Sequence, residues 1–409
     1  MRIAFITTEY VTEPGFDGGL ANYLQRVGQG LRQRGHQVEI FTASDRDEDL
    51  IHNEIPVHRV KAQPRSKLLG LLHLLTLNRL GSTIYRLVVA RQLRRRFLRR
   101  HREAPFDIIQ TTHSQACGLF LALSAPVPVV ARVSCYEPLW REMNGKPLTL
   151  NQRIREWLEL AALRRADAVY APSQVISRTY RELDHLEVDV LAPPFFIETS
   201  NTDDSIYREQ LEGLKYLLFF GRFDPAKGIH VLIEALTRVL PEIADLRFVF
   251  VGRSDSPDAL SPLQQFADRV HYLGVLPHSQ LYPVLRQAHG VVLPSLADNL
   301  PNTCLESMAC GQPVIGTDGA SFEELIEHRV SGFLVERGDP ESLSRAIKEL
   351  WELPEAEHRA MKARARERMH RFDPDRACDE LCRYLSAQVR LARFSGTDAA
   401  ESETLNPSA

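Results

Sequence analysis

Two basic residues lie between an apolar run and a helical pattern in the sequence FFGRFDPAKGIHVLIEAL. Arg222 follows the apolar run, and Lys227 comes just before a segment whose apolar residues recur at helical spacing. A guanidinium fork, an ammonium group and the free amides of a helix N-terminus can stabilise negative charge on a pyrophosphate. Solvated cations are the structural alternative, but positive charge at this end of a helix opposes the macrodipole. The pattern therefore favours phosphate binding by Arg222 and Lys227.

Two acidic residues frame a second motif, SLADNLPNTCLESMACGQPVIGT. Asp298 lies in the loop that follows the predicted strand GVVLPS, and Glu306 lies one turn into a short predicted helix. We expect Asn302 to cap this helix and Gly311 to follow its end. The amides at such an N-terminus attract anions, and a carboxylate at Glu306 can accept hydrogen bonds from the vicinal hydroxyls of a ribose. A capped helix with acids near its positive end is the structural alternative.

Two glycines and a histidine follow strands of the N-terminal half. Gly18 and Gly19, in FDGGLANYL, are expected either to take positive φ or to let the backbone approach a ligand closely. A plain glycine-rich turn is the alternative. His113 lies just beyond the predicted strand FDIIQTT, although a lone histidine is more often structural. The chain contains neither a dinucleotide-binding fingerprint nor a Walker A motif.

Apolar runs alternate with helical patterns along most of the chain, which predicts βαβ units and parallel sheets covered on both faces. The predicted strands of the first half are RIAFIT, QVEIFTA, FDIIQTT, VPVVARV and ADAVYAPS. Those of the second half are YLLFFG, LRFVFVG, VHYLGVL, GVVLPS, PVIGT and GFLVE. We therefore predict an α/β protein of two Rossmann-like, doubly wound domains that face each other across a cleft, with ligands at the carboxyl ends of the strands.

A polar stretch without hydrophobic periodicity, IETSNTDDSIYREQLEG, separates the two halves. The predicted N-terminal domain covers residues 1–195, the linker 196–213 and the C-terminal domain 214–372. A final helix over 373–393 is expected to pack back on the N-terminal domain. The polar tail 394–409 is expected to be disordered.

Two further strand ends of the second half, in VGRSD and YLGVLP, belong to the same edge of the predicted sheet. By the logic of the fold, the residues there are expected to enclose a nucleobase, and plain strand ends explain the pattern nearly as well. These residues are Gly252, Arg253, Val275 and Leu276.

Composition argues against several classes of protein. A net charge of −3 gives no indication of nucleic-acid binding. No apolar run reaches the roughly 18 residues that a membrane-spanning helix needs. Six cysteines without a signal-peptide pattern favour reduced thiols and a cytoplasmic location. Cys378, Cys382 and His370 could form a metal site, although buried apolar thiols fit their spacing better.

The stretch from residue 61 to residue 103 is strongly basic, with twelve Lys or Arg and one acid. Tyr85, Val89, Leu93 and Phe97 recur every four residues, which predicts an amphipathic helix. One interpretation is a helix that packs on the N-terminal domain and exposes a solvated cationic face. The other is peripheral contact with an anionic membrane, on its inner face, or with an anionic lipid-linked acceptor.

The second motif resembles the signature of family 4 retaining glycosyltransferases of the GT-B fold, which is an acid, seven residues, a Glu and an Ala-Cys-Gly-x-Pro-Val run. This chain has Asp298 where the family usually has Glu. The resemblance implies that Asp298 lies beside the donor sugar, that the loop after it binds the sugar hydroxyls and that Glu306 holds the ribose. The loop residues are Asn299, Leu300, Pro301, Asn302 and Thr303.

The resemblance extends to the other motifs. The pattern Gly-Arg-x4-Lys-Gly over residues 221–228 resembles the diphosphate clamp of the family. Gly18 and Gly19 match a loop that touches the donor phosphate and borders the acceptor site. A histidine in the position of His113 often meets the donor sugar. The implied catalytic residues are His113, Asp298 and Glu306, and residues 134–137 are expected to line the acceptor side.

The resemblance implies transfer of a sugar from a nucleoside diphosphate sugar to a hydroxyl of a glycan or lipid-linked acceptor, with retention of configuration and without a metal or other cofactor. Bacterial polysaccharide or glycolipid biosynthesis is the expected setting. The alternatives are a non-catalytic sugar-nucleotide-binding subunit, and an epimerase or phosphorylase on the same scaffold. A GT-A transferase would need a metal-binding Asp-x-Asp, which the charge-rich SDRDED offers.

Overall fold

The computed structural model describes residues 1–14, 18–61, 80–197, 202–254 and 258–404, with side chains up to residue 394. Within these ranges the chain forms two α/β units, each built on its own sheet. The predicted fold class, two doubly wound domains across a cleft, is confirmed.

The N-terminal unit contains an eight-stranded sheet in the order β3-β4-β2-β1-β5-β6-β7-β8. All neighbouring strands are parallel except β3 and β4. The strands are β1 (Arg2–Thr7), β2 (Gln37–Ser44), β3 (Glu48–His52), β4 (Ile55–Lys61), β5 (Ile108–Thr112), β6 (Val129–Arg132), β7 (Ala168–Ala171) and β8 (Asp189–Val190). The helices are α1 (Gly19–Gln33), α2 (Gly81–Glu103), α3 (Leu119–Ser124), α4 (Glu137–Met143), α5 (Leu150–Leu163) and α6 (Gln174–Asp184).

The C-terminal unit contains a six-stranded parallel sheet in the order β11-β10-β9-β12-β13-β14. All six strands predicted for this half are present, as β9 (Leu217–Phe220), β10 (Phe248–Val251), β11 (Val270–Tyr272), β12 (Gly290–Leu293), β13 (Val314–Thr317) and β14 (Gly332–Val335). The helices are α7 (Ser205–Gln210), α8 (Ile229–Val239), α9 (His278–Gln287), α10 (Asn302–Ala309), α11 (Pro340–Glu352) and α12 (Glu355–Arg368). The four residues of β9, β10, β12 and β13 are buried in each case, as expected for strands covered on both faces.

The sequence analysis missed the antiparallel hairpin formed by β3 and β4. Its turn residues Asn53 and Glu54 both take positive φ, at 48° and 63°. Two-residue hairpin turns in which both residues take positive φ usually have the sequence Asn-Gly or Asp-Gly. Glu54 stands where glycine is usual, so the sequence gives only a weak indication of a hairpin. In β4, Ile55 and Val57 are buried and the Pro56 between them is partly exposed. The alternation of buried and exposed residues that marks a strand is therefore present but short.

The predicted linker, residues 196–213, is not wholly a linker. Its second part forms α7, and the Leu211 that follows is fully buried in the core of the C-terminal unit. Residues 198–201 lie outside the described residues. The chain crosses between the units twice, and the crossings are joined by a hydrogen bond of 2.9 Å from the Phe195 amide to the Phe372 carbonyl.

The final helix, α13 (Pro374–Thr404), follows the C-terminal unit in sequence but packs on the N-terminal unit. Leu381, Leu385 and Val389 are buried in the same core as α1. A side chain at Gly30 of α1 would overlap the Cys378 sulfur, so the two helices approach closely. The helix extends past the predicted end at Arg393 into the segment predicted to be disordered, while 405–409 lie outside the described residues.

The basic segment forms α2, whose residues Val89, Leu93 and Phe97 are buried against β2, as predicted. Tyr85, the fourth residue of the predicted apolar face, is 46% exposed, so the apolar stripe begins one turn later than predicted. Residues 62–79 lie outside the described residues. In the part of the chain that is described, no helix is both long and apolar enough to cross a bilayer.

Candidate active site

A cavity of about 290 Å³ lies between the two units, at the carboxyl ends of their strands. From the C-terminal unit it is lined by Lys227 and by five of the predicted loop residues, Asp298, Asn299, Leu300, Asn302 and Thr303. From the N-terminal unit it is lined mainly by Gly19, Tyr23, Arg26, Arg132 and Ser134. The structure therefore brings together seven of the predicted site residues, from loops more than 200 residues apart in the chain.

The N-termini of two helices meet at this cavity. Helix α1 begins at Gly19 and helix α10 at Asn302, and a Cβ atom at Gly19 would lie 2.6 Å from Asn302 Nδ2. Gly19 thus allows a close approach, but its partner is the facing domain. Gly18 has φ of −74° and open space around it, so the first of its two predicted roles, positive φ, does not apply. Free amides of both helices favour an anion in this cavity.

The start of α10 differs from the prediction. Pro301 occupies the cap position, no side chain caps the helix, and Asn302 is already helical. Proline has a fixed φ that suits the entry to a helix, but it lacks the side-chain acceptor that Asn302 was expected to supply, so the first amides of α10 have no side-chain cap. Gly311 follows the last turn with φ of 78°, as predicted.

Lys227 and Asp298 form an ion pair within the cavity wall, with Lys227 Nζ 2.5 Å from Asp298 Oδ2. Lys227 ends a single helical turn, and Gly228 after it takes φ of 69°. A side chain at Gly228 would overlap the Pro294 carbonyl, so only glycine allows the turn to lie against the β12 loop. The residues predicted to bind the diphosphate and the donor sugar therefore neutralise each other in the cavity wall.

Asn299 joins the two units. Its Nδ2 donates to the carbonyl of Ser134, and its Oδ1 lies 3.3 Å from Ser173 Oγ at the start of α6. Nearby, Glu324 Oε1 accepts a hydrogen bond of 2.8 Å from the Val175 amide in the first turn of α6. The side chain of Asn299, predicted to contact the donor sugar, is thus engaged in contacts that close the cleft.

His113 lies behind the cavity wall, where it is 4% exposed. Its Nδ1 accepts a hydrogen bond of 3.0 Å from the Ser134 amide, and its Nε2 lies 3.6 Å from Cys135 Sγ. Burial, with the neighbouring Arg132 charge, lowers the pKa of His113 to about 4. The imidazole is therefore neutral near pH 7, with its proton on Nε2.

Glu306 is buried on α10 and does not line the cavity. Burial raises the pKa of Glu306 to about 7, and the positive charge of Arg26 on the facing helix opposes that rise. His278 Nε2 lies 3.7 Å from Glu306 Oε1. The carboxylate thus sits between the two units, beside the cavity.

Other predicted residues lie outside the cavity lining. Arg222 has a side chain that is 69% exposed and pairs with Asp224 at 3.1 Å. The Gly252 backbone packs on that of Gly221, and Val275 is 70% exposed. The residues not among those that line the cavity are Gly18, His113, Arg222, Gly252, Arg253, Val275, Leu276, Pro301 and Glu306.

Sequence reasoning missed two arginines and an aromatic ring of the N-terminal wall. Arg132 is the last residue of β6, where its guanidinium carbon lies 3.8 Å from the centre of the Tyr23 ring. Arg26 lies on α1, over the rings of Phe195 and Phe196 at 4.6 and 5.4 Å. A charged residue ending the apolar run VPVVAR was the available signal for Arg132.

A buried carboxylate, Glu159 of α5, supports the loop after His113. Gln115 and Ala116 both have left-handed backbones, with φ of 60° and 52°, which costs roughly 1–2 kcal/mol each. Glu159 Oε1 accepts hydrogen bonds from the Gln115 amide at 3.0 Å and from Arg86 Nη1 at 2.9 Å. These bonds tie the loop to α5 and α2. No local pattern in the sequence indicates such a contact.

Groups of three or more His, Cys, Asp or Glu side chains that could hold a metal ion do not occur among the residues that the structure describes. Cys378, for which a metal site was weighed, is buried against α1.

Two parallel-sheet domains with facing helix N-termini at the cleft define a protein of the GT-B class. Comparisons with known proteins identify its family. Residues 18–193 match the family model "Glycosyl transferase 4-like domain", and residues 214–352 match "Glycosyl transferases group 1". The chain belongs to the group 1 glycosyl transferases and is a glycosyltransferase, which confirms the resemblance to family 4.

Curated relatives match over most of their length. The uncharacterized glycosyltransferase MJ1607 of Methanocaldococcus jannaschii is 27% identical over 371 residues, covering 85% of this chain and 88% of that one. A phosphatidyl-myo-inositol mannosyltransferase of Mycobacterium leprae is 25% identical over 358 residues, covering 85% and 86%. A D-inositol 3-phosphate glycosyltransferase of Pseudarthrobacter chlorophenolicus is 26% identical over 386 residues, covering 86% and 87%.

Solved structures share the fold. A sucrose-phosphate synthase from Thermosynechococcus elongatus superposes with a TM-score of 0.75 at 22% identity, covering 96% of this chain and all of that one. Anabaena HepE in complex with UDP-glucose superposes with a TM-score of 0.67 at 22% identity, covering 95% and 100%. These similarities establish the GT-B fold of the chain.

The lowered pKa of His113 predicts a specific dependence of stability on pH. Unfolded His113 takes up a proton near pH 6.5, whereas the folded residue does so only near pH 4. The stability from neutral burial is therefore complete above pH 6.5 and is lost as pH falls towards 4. Between these values, the unfolding free energy of the wild type should fall by about 3 kcal/mol relative to that of His113→Asn.

Chemical denaturation of both proteins at a series of pH values measures this difference. Above pH 7.5 the difference should be constant, because His113 is then neutral in both states. A difference that stays constant down to pH 4 would show that the imidazole is not buried as described.

Proposed function

We propose that this glycosyltransferase moves a sugar, with retention of configuration and without a divalent metal, from a nucleoside diphosphate sugar to a hydroxyl of a glycan or lipid-linked acceptor. Polysaccharide or glycolipid assembly is the proposed setting. The observation that carries the proposal is the convergence of Lys227 and two helix N-termini on one interdomain cavity. Together they supply positive charge and free amides where a departing diphosphate needs them.

The comparisons support a nucleotide-sugar donor. HepE was solved in complexes with UDP and with UDP-glucose, and two curated relatives are named for transfer to inositol-containing acceptors. By similarity we propose that the donor of this chain is also a nucleoside diphosphate sugar.

The ion pair between Lys227 and Asp298 suggests how the donor binds. The diphosphate binds the Lys227 ammonium in place of the Asp298 carboxylate. The carboxylate can then accept a hydrogen bond from a sugar hydroxyl. Charge on the leaving diphosphate is then stabilised by the ammonium and by the α10 amides, with no metal in the step. The shorter Asp in place of the usual Glu is compatible with this role because Asp298 already lines the cavity beside Lys227.

The remaining steps use groups around the cavity. The acceptor hydroxyl attacks from the same face that the diphosphate leaves, and a leaving phosphate oxygen takes the acceptor proton. His113 lies behind the cavity wall with Nε2 beside Cys135, so its part is to hold the Ser134 amide through Nδ1 and not to contact the sugar. Contacts of Asn299 across the cleft exclude water, which favours transfer over hydrolysis.

Lys227 is the residue on which donor binding is expected to depend most. In Lys227→Met, the affinity for the nucleoside diphosphate should fall by about tenfold to a hundredfold, as expected for a lost charge-assisted hydrogen bond. Asp298→Asn should keep or increase that affinity, because no carboxylate competes for the ammonium, yet lower turnover by about a hundredfold. Thermal shift with UDP, GDP and ADP selects the diphosphate, and calorimetry then gives the affinities.

Lys348→Met, which removes a surface lysine paired with Glu242, is the matched control and should bind like the wild type. Unchanged nucleoside diphosphate binding by Lys227→Met would refute the proposed position of the diphosphate.

We further propose peripheral contact with an anionic membrane through α2. Arg91, Arg95 and Arg99 are exposed in a line four residues apart. Their neighbours Arg96 and Arg100 instead pair with Asp49 and Glu39 of the sheet. Helix α5 begins beside the N-terminal end of α2, where Thr83 Oγ1 donates to Asn151 Oδ1, and it carries the exposed apolar side chains Leu150 and Trp157, at 66% and 64% exposure. Such a mixture of arginine and apolar side chains suits a lipid interface.

Substitution of Arg91, Arg95 and Arg99 by Glu should abolish co-sedimentation with vesicles of phosphatidylglycerol and phosphatidylcholine at low salt. Each arginine near an anionic surface contributes about 1 kcal/mol. Glu in place of the exposed Arg178, Arg238 and Arg376 gives the same change in net charge elsewhere and should leave binding intact. Equal binding by both variants would refute the contact.

A further inference from the structure

The N-terminal wall of the cavity carries two arginines that are not ion-paired with any described carboxylate. Arg26 and Arg132 both line the cavity, and neither has a carboxylate oxygen within 4.0 Å among the described residues. Lys227 on the opposite wall is, by contrast, neutralised by Asp298. The cavity therefore holds, on one side, two arginines that form no ion pair within the described residues.

Arg132 is held in place by contacts that leave most of its donors available. It is 6% exposed, stacks on Tyr23 and donates from Nη1 to Ser134 Oγ at 2.9 Å. A guanidinium carries five N–H donors in a fixed fork, and the other donors have no hydrogen-bond acceptor within the described ranges. An arginine that is buried in this way is costly unless an anion accepts its hydrogen bonds.

Arg26 continues the same surface. It lies three residues after Tyr23 on α1, so the two side chains share one face of the helix. Its guanidinium lies over the rings of Phe195 and Phe196. Glu306 of the opposite domain acts on Arg26 electrostatically but is not within ion-pair distance. Arg132, Tyr23 and Arg26 thus form a cationic wall with an aromatic centre.

We propose that Arg26 and Arg132 form a subsite for a phosphate or carboxylate group of the acceptor. The inference rests on the proposed function, in which the donor diphosphate binds to Lys227 and to the N-terminus of α10 on the C-terminal wall. Two arginines offer bidentate hydrogen bonds, which suit a planar carboxylate or a phosphate. The acceptor is therefore an anionic molecule whose charged group anchors it while its hydroxyl faces the donor sugar.

The donor diphosphate is the other anion that these arginines could bind, and one experiment distinguishes it from an anionic group of the acceptor. Inorganic phosphate is titrated by calorimetry into protein saturated with the nucleoside diphosphate selected above, with unsaturated protein in parallel. Phosphate should bind both, because its subsite is separate. Arg132→Met and Arg26→Met should each weaken phosphate binding about tenfold or more, with nucleoside diphosphate affinity changed by less than about threefold.

Arg32→Met is the matched control, because Arg32 lies on α1 but pairs with Glu54 outside the cavity. It should bind phosphate like the wild type. If Arg132→Met fails to fold, Arg132→Lys and Arg26→Met carry the test. The phosphate affinity of Arg132→Lys should lie between that of the wild type and that of Arg26→Met.

Three results would overturn the subsite. The first is that the wild type does not bind phosphate, and the second is that all variants bind it equally. The third is that the nucleoside diphosphate displaces phosphate, or that the variants lose affinity for both ligands to the same extent. The last result would assign the arginines to the donor. A wild type that binds no nucleoside diphosphate would instead refute the proposed function, and phosphate binding to the unsaturated variants would still decide whether the anion subsite exists.

Discussion

The ion pair between Lys227 and Asp298 fixes a cation and a carboxylate side by side in the wall of the cleft. It keeps a cation beside the N-terminus of α10, where positive charge is otherwise unfavourable. In the proposed mechanism this cost falls when a diphosphate replaces the carboxylate, because the anion meets both the ammonium and the helix amides. The proposed exchange also frees an oxygen of Asp298 for the sugar, which would link donor binding to sugar recognition.

The surrounding structure fixes this pair and closes the cavity around it. Gly228 lets the Lys227 turn lie on the β12 loop, and Gly19 lets α1 approach α10. Asn299 reaches Ser134 across the cleft, and the Ser134 amide orients His113. The loop on which Asp298 lies is thus connected, through hydrogen bonds, to the histidine of the opposite domain. Glu159 supports the backbone after that histidine from α5.

Much of the fold could be predicted because parallel strands covered on both faces are continuous apolar runs, and all six strands of the second half were found in this way. The hairpin of β3 and β4 was missed because its Asn53–Glu54 turn lacks glycine. The site was predicted only where one loop carries its own pattern, as Lys227 and Asp298 do. Arg26, Arg132 and Glu159 act through contacts between distant segments, which spacing along the chain does not encode. Asn299 lies in a recognisable loop, yet its contact with Ser134 depends on how the domains meet.

The central claim is that fixed cations and helix amides, without a divalent ion, stabilise the leaving diphosphate. Turnover of the selected nucleoside diphosphate sugar in excess EDTA, compared with turnover in Mg²⁺ or Mn²⁺, tests it most directly. The account predicts the same rate in all three conditions. Loss of activity in EDTA, with recovery when the metal is restored, would contradict it.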